Sequence, residues 1–214
     1  MKPRRGVKTI TVQASSPGAI AQALDVLRAG GLVAFPTDTV YGVGALAYDG
    51  EAVESIYHAK DRPADKAIPV LICDTRDLEK VSDNIPDAAR ILSARFWPGP
   101  LTVLIPKRAD LPEAVSATST VGVRVPDHEV VRALLRLAGP MAVTSANLSG
   151  QPSPTSAEEV LAQLDGRLEL IIDGGKTPGG IPSTVVDCTG LEIKILREGP
   201  ISLRELLSAL RISP

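Results

Sequence analysis

The stretch "FPTDTVYGVGALA", residues 35–47, decides how this chain is interpreted. It continues an apolar run, residues 32–35, that is typical of a buried strand. Two threonines, an aspartate, a tyrosine and two glycines then follow within a few positions, which is unusual for a strand inside a core. Short hydroxyl side chains and accessible backbone leave room for a small ligand. The stretch therefore predicts a buried strand that ends in a pocket-lining loop.

Segments of helical periodicity alternate with strand-like apolar runs on both sides of this stretch. Ser16 and Pro17 predict the N-cap and first position of one helix, and Asp49 predicts the start of another that ends before Pro63. Further helices are predicted at residues 85–97, 129–137 and 157–164 and near the C-terminus. Strands are predicted at residues 7–12, 32–35, 68–72, 101–105, 120–125, 141–144, 168–172, 183–186 and 192–196. This alternation predicts the α/β class, with a mixed sheet covered by helices in a single domain over residues 1–214.

The composition excludes several classes of protein. The net charge of -2 and the pI of about 5.8 lack the basic surplus of most nucleic-acid binders. Aromatic residues make up 3% of the chain, which argues against a protein that stacks single-stranded bases. No apolar segment follows the basic residues 1–5, so no signal peptide or membrane span is expected. Cys73 and Cys188 have no metal-ligand spacing and are expected to be reduced thiols of a cytoplasmic protein.

Polar, small or basic residues follow several predicted strands and one predicted helix. In open α/β sheets, ligands bind where strands end, so these positions are candidates for a site. Each also has a purely structural interpretation: Lys60 and Arg62 suit a helix C-terminus, and Ser145 and Asn147 suit a turn. The candidate segments are residues 37–41, 60–62, 124–126, 144–147, 183–184 and 197–199.

Two further features are interpreted as structural. Residues 173–177, "DGGKT", end like a phosphate-binding P-loop, but Leu170 stands where that motif requires glycine and Pro178 follows where a helix should begin. His58 and His128 have no cysteine or second histidine at ligand spacing. Neither feature is expected to form a site.

Seven motifs in order make the chain resemble the YrdC-type threonylcarbamoyl-AMP synthases over roughly residues 16–205. The motifs are "FPTDTVYGVGALA", "IYHAKDRPADK", "FWPGPLTVLI", "VGVRVPDH", "TSANLSGQPSPT", "PSTVVDCT" and "ILREGP". The resemblance implies a three-layer α/β/α domain around a twisted mixed β-sheet with a large basic cleft. It also implies a reaction in which L-threonine, bicarbonate or CO2, and ATP give threonylcarbamoyl-AMP and pyrophosphate, for threonylcarbamoyl-adenosine in tRNA.

The resemblance also implies roles for individual residues. The residues that contact L-threonine would be Thr37, Arg124 and Ser183, with Tyr41 lining the same pocket. The residues that contact the nucleotide would be Lys60, Arg62, Thr120, Ser145, Asn147, Ser153 and Arg197, of which Lys60 and Arg62 would be catalytic. We expect Lys60 to bury its methylenes and project its ammonium outward into the cleft. Two departures are Leu71, where many relatives have a histidine, and Thr144, where many have proline.

The implied partners leave alternatives open. Magnesium is expected to accompany ATP, because Mg²⁺ is commonly held by substrate phosphates with few protein ligands. A downstream tRNA threonylcarbamoyl-transferase complex would use the product, and a basic cleft could contact double-stranded RNA or tRNA. One alternative is an RNA-binding module without catalysis, against which the acidic pI weighs. The other is a paralogue that hydrolyses ATP without threonine, which the departure at Leu71 leaves open.

Overall fold

A computed structural model describes residues 7–211, so the basic residues 1–5 lie outside the described part of the chain. Six α-helices and a short 3-10 helix, Thr75–Lys80, are present in that part. The helices are α1 (Ala19–Arg28), α2 (Gly50–Lys60), α3 (Asp87–Phe96), α4 (Glu129–Ala138), α5 (Ala157–Leu164) and α6 (Leu203–Arg211). None of the helices described is long and apolar enough to cross a membrane.

Ten strands of the described chain form one mixed sheet in the order β1-β8-β2-β3-β7-β4-β6-β5-β9-β10. Parallel pairs join β1 to β8, β2 to β8, β4 to β6 and β5 to β9, and the other neighbours are antiparallel. The strands are β1 (Ile10–Gln13), β2 (Val33–Phe35), β3 (Gly42–Leu46), β4 (Val70–Leu71), β5 (Leu101–Pro106), β6 (Thr120–Arg124), β7 (Met141–Ser145), β8 (Leu170–Asp173), β9 (Thr184–Asp187) and β10 (Lys194–Arg197). The predicted mixed sheet is confirmed.

Two apolar clusters cover opposite faces of the sheet. Successive side chains of a strand point to opposite faces, and in β2 Ala34 belongs to one cluster while Val33 and Phe35 belong to the other. Buried residues of α1 and α4 pack with the second cluster, and those of α2, α3, α5 and α6 pack with the first. The helices therefore form a layer on each side of the sheet, which confirms the three-layer α/β/α fold.

The structure corrects the predicted start of the first helix. α1 begins at Ala19, and its N-cap is Gly18 in the left-handed conformation with φ 84°, not Ser16. The carbonyl of Ser16 accepts a hydrogen bond from the Ala19 amide at 3.1 Å, so a turn precedes the helix. The prediction for α2 is confirmed, because the Asp49 side chain accepts from the Ala52 amide at 3.0 Å.

Strand β3 is absent from the sequence prediction, which treated the whole glycine-containing stretch as a loop. Gly42 and Gly44 have low strand propensity, yet close packing in the sheet requires them. A Cβ atom on Gly42 would lie 2.8 Å from Val143 Cγ1, and one on Gly44 would lie 2.7 Å from Val143 Cγ2. The loop that follows β2 is therefore limited to residues 36–41.

Candidate active site

A cavity of about 430 Å³ lies over the face of the sheet. Alternate residues of neighbouring strands form its floor, such as Thr102 and Leu104 of β5 and Gly122 and Arg124 of β6. Val143 in this floor also belongs to the apolar cluster that α1 and α4 cover further along the sheet. These helices leave this part of the sheet face uncovered, and predicted strand-end residues such as Arg124, Ser145 and Ser183 also line the cavity.

Most of the predicted site residues meet in this cavity. Those that line it are Thr37, Tyr41, Arg62, Arg124, Ser145, Ser153, Ser183 and Arg197. Lys60, Thr120 and Asn147 are not among the lining residues. The structure therefore brings together side chains from both ends of the chain, and three of them are arginines.

The Thr37 hydroxyl organises the loop after β2. It donates to the Val40 carbonyl at 2.7 Å and accepts from the amides of Thr39 at 3.1 Å and Val40 at 3.3 Å. Its oxygen also lies 3.0 Å from the Thr39 hydroxyl oxygen. A threonine side chain that bonds its own following backbone forms a tight turn, which brings the small residues of this loop against the cavity.

Tyr41 ties this loop to the chain that follows β8. Its hydroxyl donates to the Gly175 carbonyl at 2.7 Å and accepts from the Gly174 amide at 3.2 Å. Burial, with a smaller contribution from Asp173, raises the pKa of Tyr41 to about 12. The phenol is thus a neutral wall of the cavity and a support for its shape.

Arg124 is held rigidly. Its side chain is buried, with the residue 7% exposed, and Nε donates to the Gly99 carbonyl at 2.9 Å. Nη1 donates to the Thr39 hydroxyl at 3.2 Å, and Nη2 forms an ion pair with Asp38. Asp38 was not predicted as a partner of Arg124, although its place between two threonines after a strand was a signal. These contacts fix the plane in which the guanidinium can meet a ligand.

The other two arginines reach the cavity from different sides. Arg62, half-buried, donates through Nε to the Lys66 carbonyl at 3.1 Å and through Nη2 to the Ala67 carbonyl at 2.8 Å. Arg197 donates to the Ser183 carbonyl at 2.8 Å and 3.1 Å. Burial lowers the pKa of both groups, and the Arg124 charge further lowers the pKa of Arg197. The positive charges of Arg124 and Arg197 therefore lie close enough to affect each other.

Lys60 does not project outward as predicted. The residue is 1% exposed, and its ammonium donates to the carbonyls of Ser145 and Asn147. Its own carbonyl accepts from the Ser149 amide at 2.8 Å. Burial, and secondarily the Arg62 charge, lowers the pKa of Lys60 to about 7. Lys60 therefore lies beneath the end of β7 and the loop that follows it, and it forms hydrogen bonds with Ser145, Asn147 and Ser149.

Asn147 and Thr120 also bond within the protein. The Asn147 amide nitrogen donates to the carbonyls of Leu148 at 2.7 Å and Gln151 at 2.9 Å. Its amide oxygen is buried with no hydrogen-bond partner among the residues described. The Thr120 hydroxyl oxygen lies 3.1 Å from that of Thr118.

Sequence reasoning missed Thr102, a buried hydroxyl that lines the cavity from within an apolar strand. Its signal was a polar residue in the middle of the motif "FWPGPLTVLI". Leu71 lines the same cavity and is buried.

The features that were predicted to be structural are the segment that resembles a P-loop, the two cysteines and the histidines. No helix follows residues 173–177, which agrees with the rejection of a P-loop. Cys73 and Cys188 are buried free thiols, and burial raises the pKa of Cys188 to about 12. Burial lowers the pKa of His128, whose Nδ1 atom has no partner among the residues described. Within residues 7–211 no group of three or more His, Cys, Asp or Glu side chains could hold a metal ion.

The fold and this cavity define an α/β protein with a cavity of about 430 Å³ that three arginines and several hydroxyl side chains line. Comparison with known proteins makes the assignment specific: the chain belongs to the Sua5/YciO/YrdC family. A model of that family, described as "Telomere recombination", matches residues 25–199. The resemblance inferred from the motifs is confirmed at the level of the family.

Relatives in this family carry a common name. The chain is similar to the threonylcarbamoyl-AMP synthase of Pyrococcus abyssi, with 46% identity over 193 residues that cover 88% of the chain and 57% of the relative. It is 44% identical over 210 residues to that of Bacillus subtilis, covering 96% of the chain and 61% of the relative. The crystal structure of P. abyssi Sua5 complexed with L-threonine matches with a TM-score of 0.89 and 43% identity, covering 94% of this chain and 60% of that one. The chain thus spans about three-fifths of the length of these relatives.

Proposed function

We propose that this protein synthesises L-threonylcarbamoyl-AMP from L-threonine, bicarbonate or CO2, and ATP, and releases pyrophosphate. The observation that carries the proposal is the meeting of three arginines, Arg62, Arg124 and Arg197, with small hydroxyl side chains in one cavity. Arginine binds carboxylates and phosphates bidentately. The names of the relatives and the L-threonine complex of one of them support the same substrates.

The threonine half of the cavity is assigned to Arg124, Thr37, Ser183 and Tyr41. Arg124 would bind the substrate carboxylate, because its guanidinium is fixed and lines the cavity. The loop held by Thr37 leaves space that a bulky side chain would fill. Ser183 offers a hydroxyl from the opposite wall, and the neutral phenol of Tyr41 closes the space.

The nucleotide half is assigned to Arg62, Arg197, Ser145 and Ser153, which line the cavity. The motifs alone would add Lys60, Thr120 and Asn147 as direct contacts. In this proposal Lys60 instead holds the backbone at Ser145. The two arginines would neutralise charge on the triphosphate as pyrophosphate leaves.

The proposed chemistry needs no protein nucleophile. The threonine amine attacks CO2, a C–N bond forms, the amine loses a proton, and a carbamate results. A carbamate oxygen then attacks the α-phosphorus of ATP, and the bond to the bridging oxygen of pyrophosphate breaks. Positioning and charge stabilisation would supply the rate, which suits a site rich in donors. The activity is that of a nucleotidyltransferase.

Magnesium belongs to the proposal as a companion of ATP. The cavity lining contains arginines and hydroxyls but no carboxylate, and the described residues hold no cluster suited to a metal. A cation held chiefly by the substrate phosphates fits these residues, and a protein cage does not. Mg²⁺ would supply charge neutralisation at the triphosphate, beside Arg62 and Arg197.

The product is proposed to serve the threonylcarbamoyl-adenosine modification of tRNA, through a separate tRNA threonylcarbamoyl-transferase complex. Direct contact with double-stranded RNA or tRNA is a further part of the proposal, which rests on the family resemblance alone. Two buried free thiols agree with a reducing compartment, and we propose the cytoplasm.

One observation keeps a second function in view. Leu71 places an apolar wall in the cavity at the position where many relatives have a histidine. A paralogue that hydrolyses ATP without threonine would suit such a change. Pyrophosphate release should be measured with and without L-threonine and bicarbonate, with filter binding to double-stranded RNA as a parallel assay. Release that needs both co-substrates supports the synthase, whereas equal release without threonine selects the paralogue. RNA retention without any turnover selects a binding module.

A further inference from the structure

Thr102 is a polar residue at the centre of an apolar strand. It is 2% exposed, and its neighbours Leu101 and Val103 point to the opposite, fully buried face of β5. Buried hydroxyl groups are almost always hydrogen-bonded. The Thr102 oxygen lies 2.9 Å from the hydroxyl oxygen of Ser183, a residue separated from it by 81 positions. Both residues line the cavity.

Ser183 also receives a hydrogen bond from Arg197. Nη2 of Arg197 lies 3.1 Å from the Ser183 hydroxyl oxygen. Arginine has donors and no acceptor, so the serine oxygen accepts in this contact. A serine hydroxyl has one proton and two acceptor sites, so Arg197 takes up one acceptor site and leaves the proton to be placed.

The direction of the Thr102–Ser183 bond decides where that proton points. If Thr102 donates, both acceptor sites of Ser183 are occupied and the Ser183 proton is turned into the cavity. If Thr102 accepts, the Ser183 proton is consumed within the protein and the Thr102 proton loses its buried partner. Ser183 is the more exposed of the two residues, at 4% against 2%, so donation from Thr102 keeps the more deeply buried proton paired and leaves the Ser183 proton to face the cavity.

The rotamer of Thr102 is fixed by its surroundings. A Cβ atom added to Gly122 would lie 3.1 Å from the Thr102 methyl group, so this methyl packs closely against β6. A β-branched side chain is restricted at χ1. With the methyl seated at Gly122, the hydroxyl is directed to Ser183.

We propose that Thr102 is a positioning residue: it donates to Ser183 and thereby turns the Ser183 hydroxyl proton toward an oxygen of the bound amino acid. This inference rests on the proposed function, since the oxygen is that of L-threonine. Thr102 need not touch the substrate itself. It acts with Arg197 to leave Ser183 with a single orientation, that of a donor to the ligand.

The test compares variants that separate the hydroxyl from the shape of the side chain. Thr102→Val removes the hydroxyl and keeps the shape, whereas Thr102→Ser keeps the hydroxyl and removes the methyl. We expect Thr102→Val to raise the dissociation constant for L-threonine by about three- to tenfold, the effect of one hydrogen bond. Thr102→Ser keeps the hydroxyl but loses the methyl that seats it, so its dissociation constant should lie between those of wild type and Thr102→Val. Titration calorimetry with L-threonine and no ATP measures both.

A double-mutant cycle with Ser183→Ala distinguishes positioning from general loss of structure. If Thr102 acts through Ser183, then Thr102→Val should have almost no further effect in the Ser183→Ala background. Equal effects in both backgrounds would overturn the inference. Should the valine variant fail to fold, Thr102→Ser compared with Thr102→Ala isolates the same hydroxyl.

Titration of the wild type distinguishes a failure of the role of Thr102 from a failure of the proposed function. A wild type that binds L-threonine and a Thr102→Val variant that binds it equally well would overturn the role of Thr102 alone. A wild type that neither binds L-threonine nor releases pyrophosphate in its presence would overturn the proposed function and this inference with it.

Discussion

Lys60 shows how a motif residue can serve a site without facing it. Its ammonium holds the carbonyls of Ser145 and Asn147 from below, and its pKa is lowered to about 7 from 10.5. Between these two pH values the unfolded chain holds more protons than the folded chain. The stability that Lys60 contributes is therefore full above about pH 10.5, and it is lost as the pH falls to about 7.

This pH dependence of stability gives a prediction for Lys60→Met. The free energy of unfolding of the wild type, minus that of the variant, should grow as the pH rises from about 7 toward 10, by up to about 1.4 kcal/mol per pH unit. Urea unfolding at several pH values measures it. Lys8→Met is the matched control, because Lys8 is exposed and its replacement removes no buried ammonium. A flat curve for Lys60→Met would contradict the burial of this charge.

Arg124 and Arg62 provide a pair of variants for the two halves of the cavity. Arg124→Lys keeps a positive charge beside Asp38, which avoids an unpaired buried carboxylate, but it loses the bidentate geometry. We expect the KM for L-threonine to rise by about ten- to a hundredfold, with a smaller change in the KM for ATP. Arg62→Lys should show the opposite pattern. Steady-state kinetics that shift only the KM for ATP in Arg124→Lys would move this residue to the nucleotide half.

The family motifs pointed to the arginines and hydroxyls that line the cavity, but nothing in the sequence indicated the burial of Lys60. The motifs named Arg62, Arg124 and Ser183 correctly as residues that the fold brings to one cavity. The contact of Lys60 with Ser145 spans 85 positions of the chain, so only the tertiary structure reveals that its ammonium is turned inward. Whether each lining residue binds substrate stays a prediction.

At the scale of elements, two loops form one wall of the cavity. The chain between β8 and β9 packs against the loop after β2, and the Gly180 amide donates to the Thr39 carbonyl at 3.2 Å. A Cβ atom on Gly179 would lie 2.5 Å from that carbonyl oxygen and 2.9 Å from Thr39 Cα. This contact between the loops therefore requires a glycine at position 179.

Gly179→Ala should separate the two loops and weaken the site. We expect the affinity for L-threonine to fall by about tenfold or more, because even small displacements of positioning groups are costly. Gly190→Ala in the turn between β9 and β10 is the control, since its Cβ would have no neighbour nearer than 3.4 Å. Calorimetric titration of both variants is the measurement. Unchanged binding in Gly179→Ala would show that this loop contact does not shape the pocket.

Elements were predicted well where local signals are strong. The Asp49 cap of α2 and the bounds of α5 agree with the structure, because capping residues and helical periodicity act within a few positions. β3 was missed because its glycines are explained by close packing on β7, which the local sequence does not show. β4 is shorter than predicted, and Pro69 before it cannot donate to the sheet.

For the whole molecule, the fold class was predictable and the strand order was not. Alternating helices and strands indicated an α/β protein with a mixed sheet, which the structure confirms. The order depends on distant pairings, such as the insertion of β8 between β1 and β2 near the other end of the chain. That order also decides which part of the sheet face α1 and α4 leave uncovered, and thus where the cavity lies.

The central claim is that these strands and loops form a site that joins L-threonine, CO2 and ATP. Mass spectrometry of the product formed with ¹³C-labelled bicarbonate tests it most directly, with reactions lacking threonine or protein as controls. The account predicts a threonylcarbamoyl adenylate that carries the label, formed only with L-threonine and in equal amount to pyrophosphate. Release of AMP or ADP at the same rate without threonine, with no labelled adenylate, would contradict it.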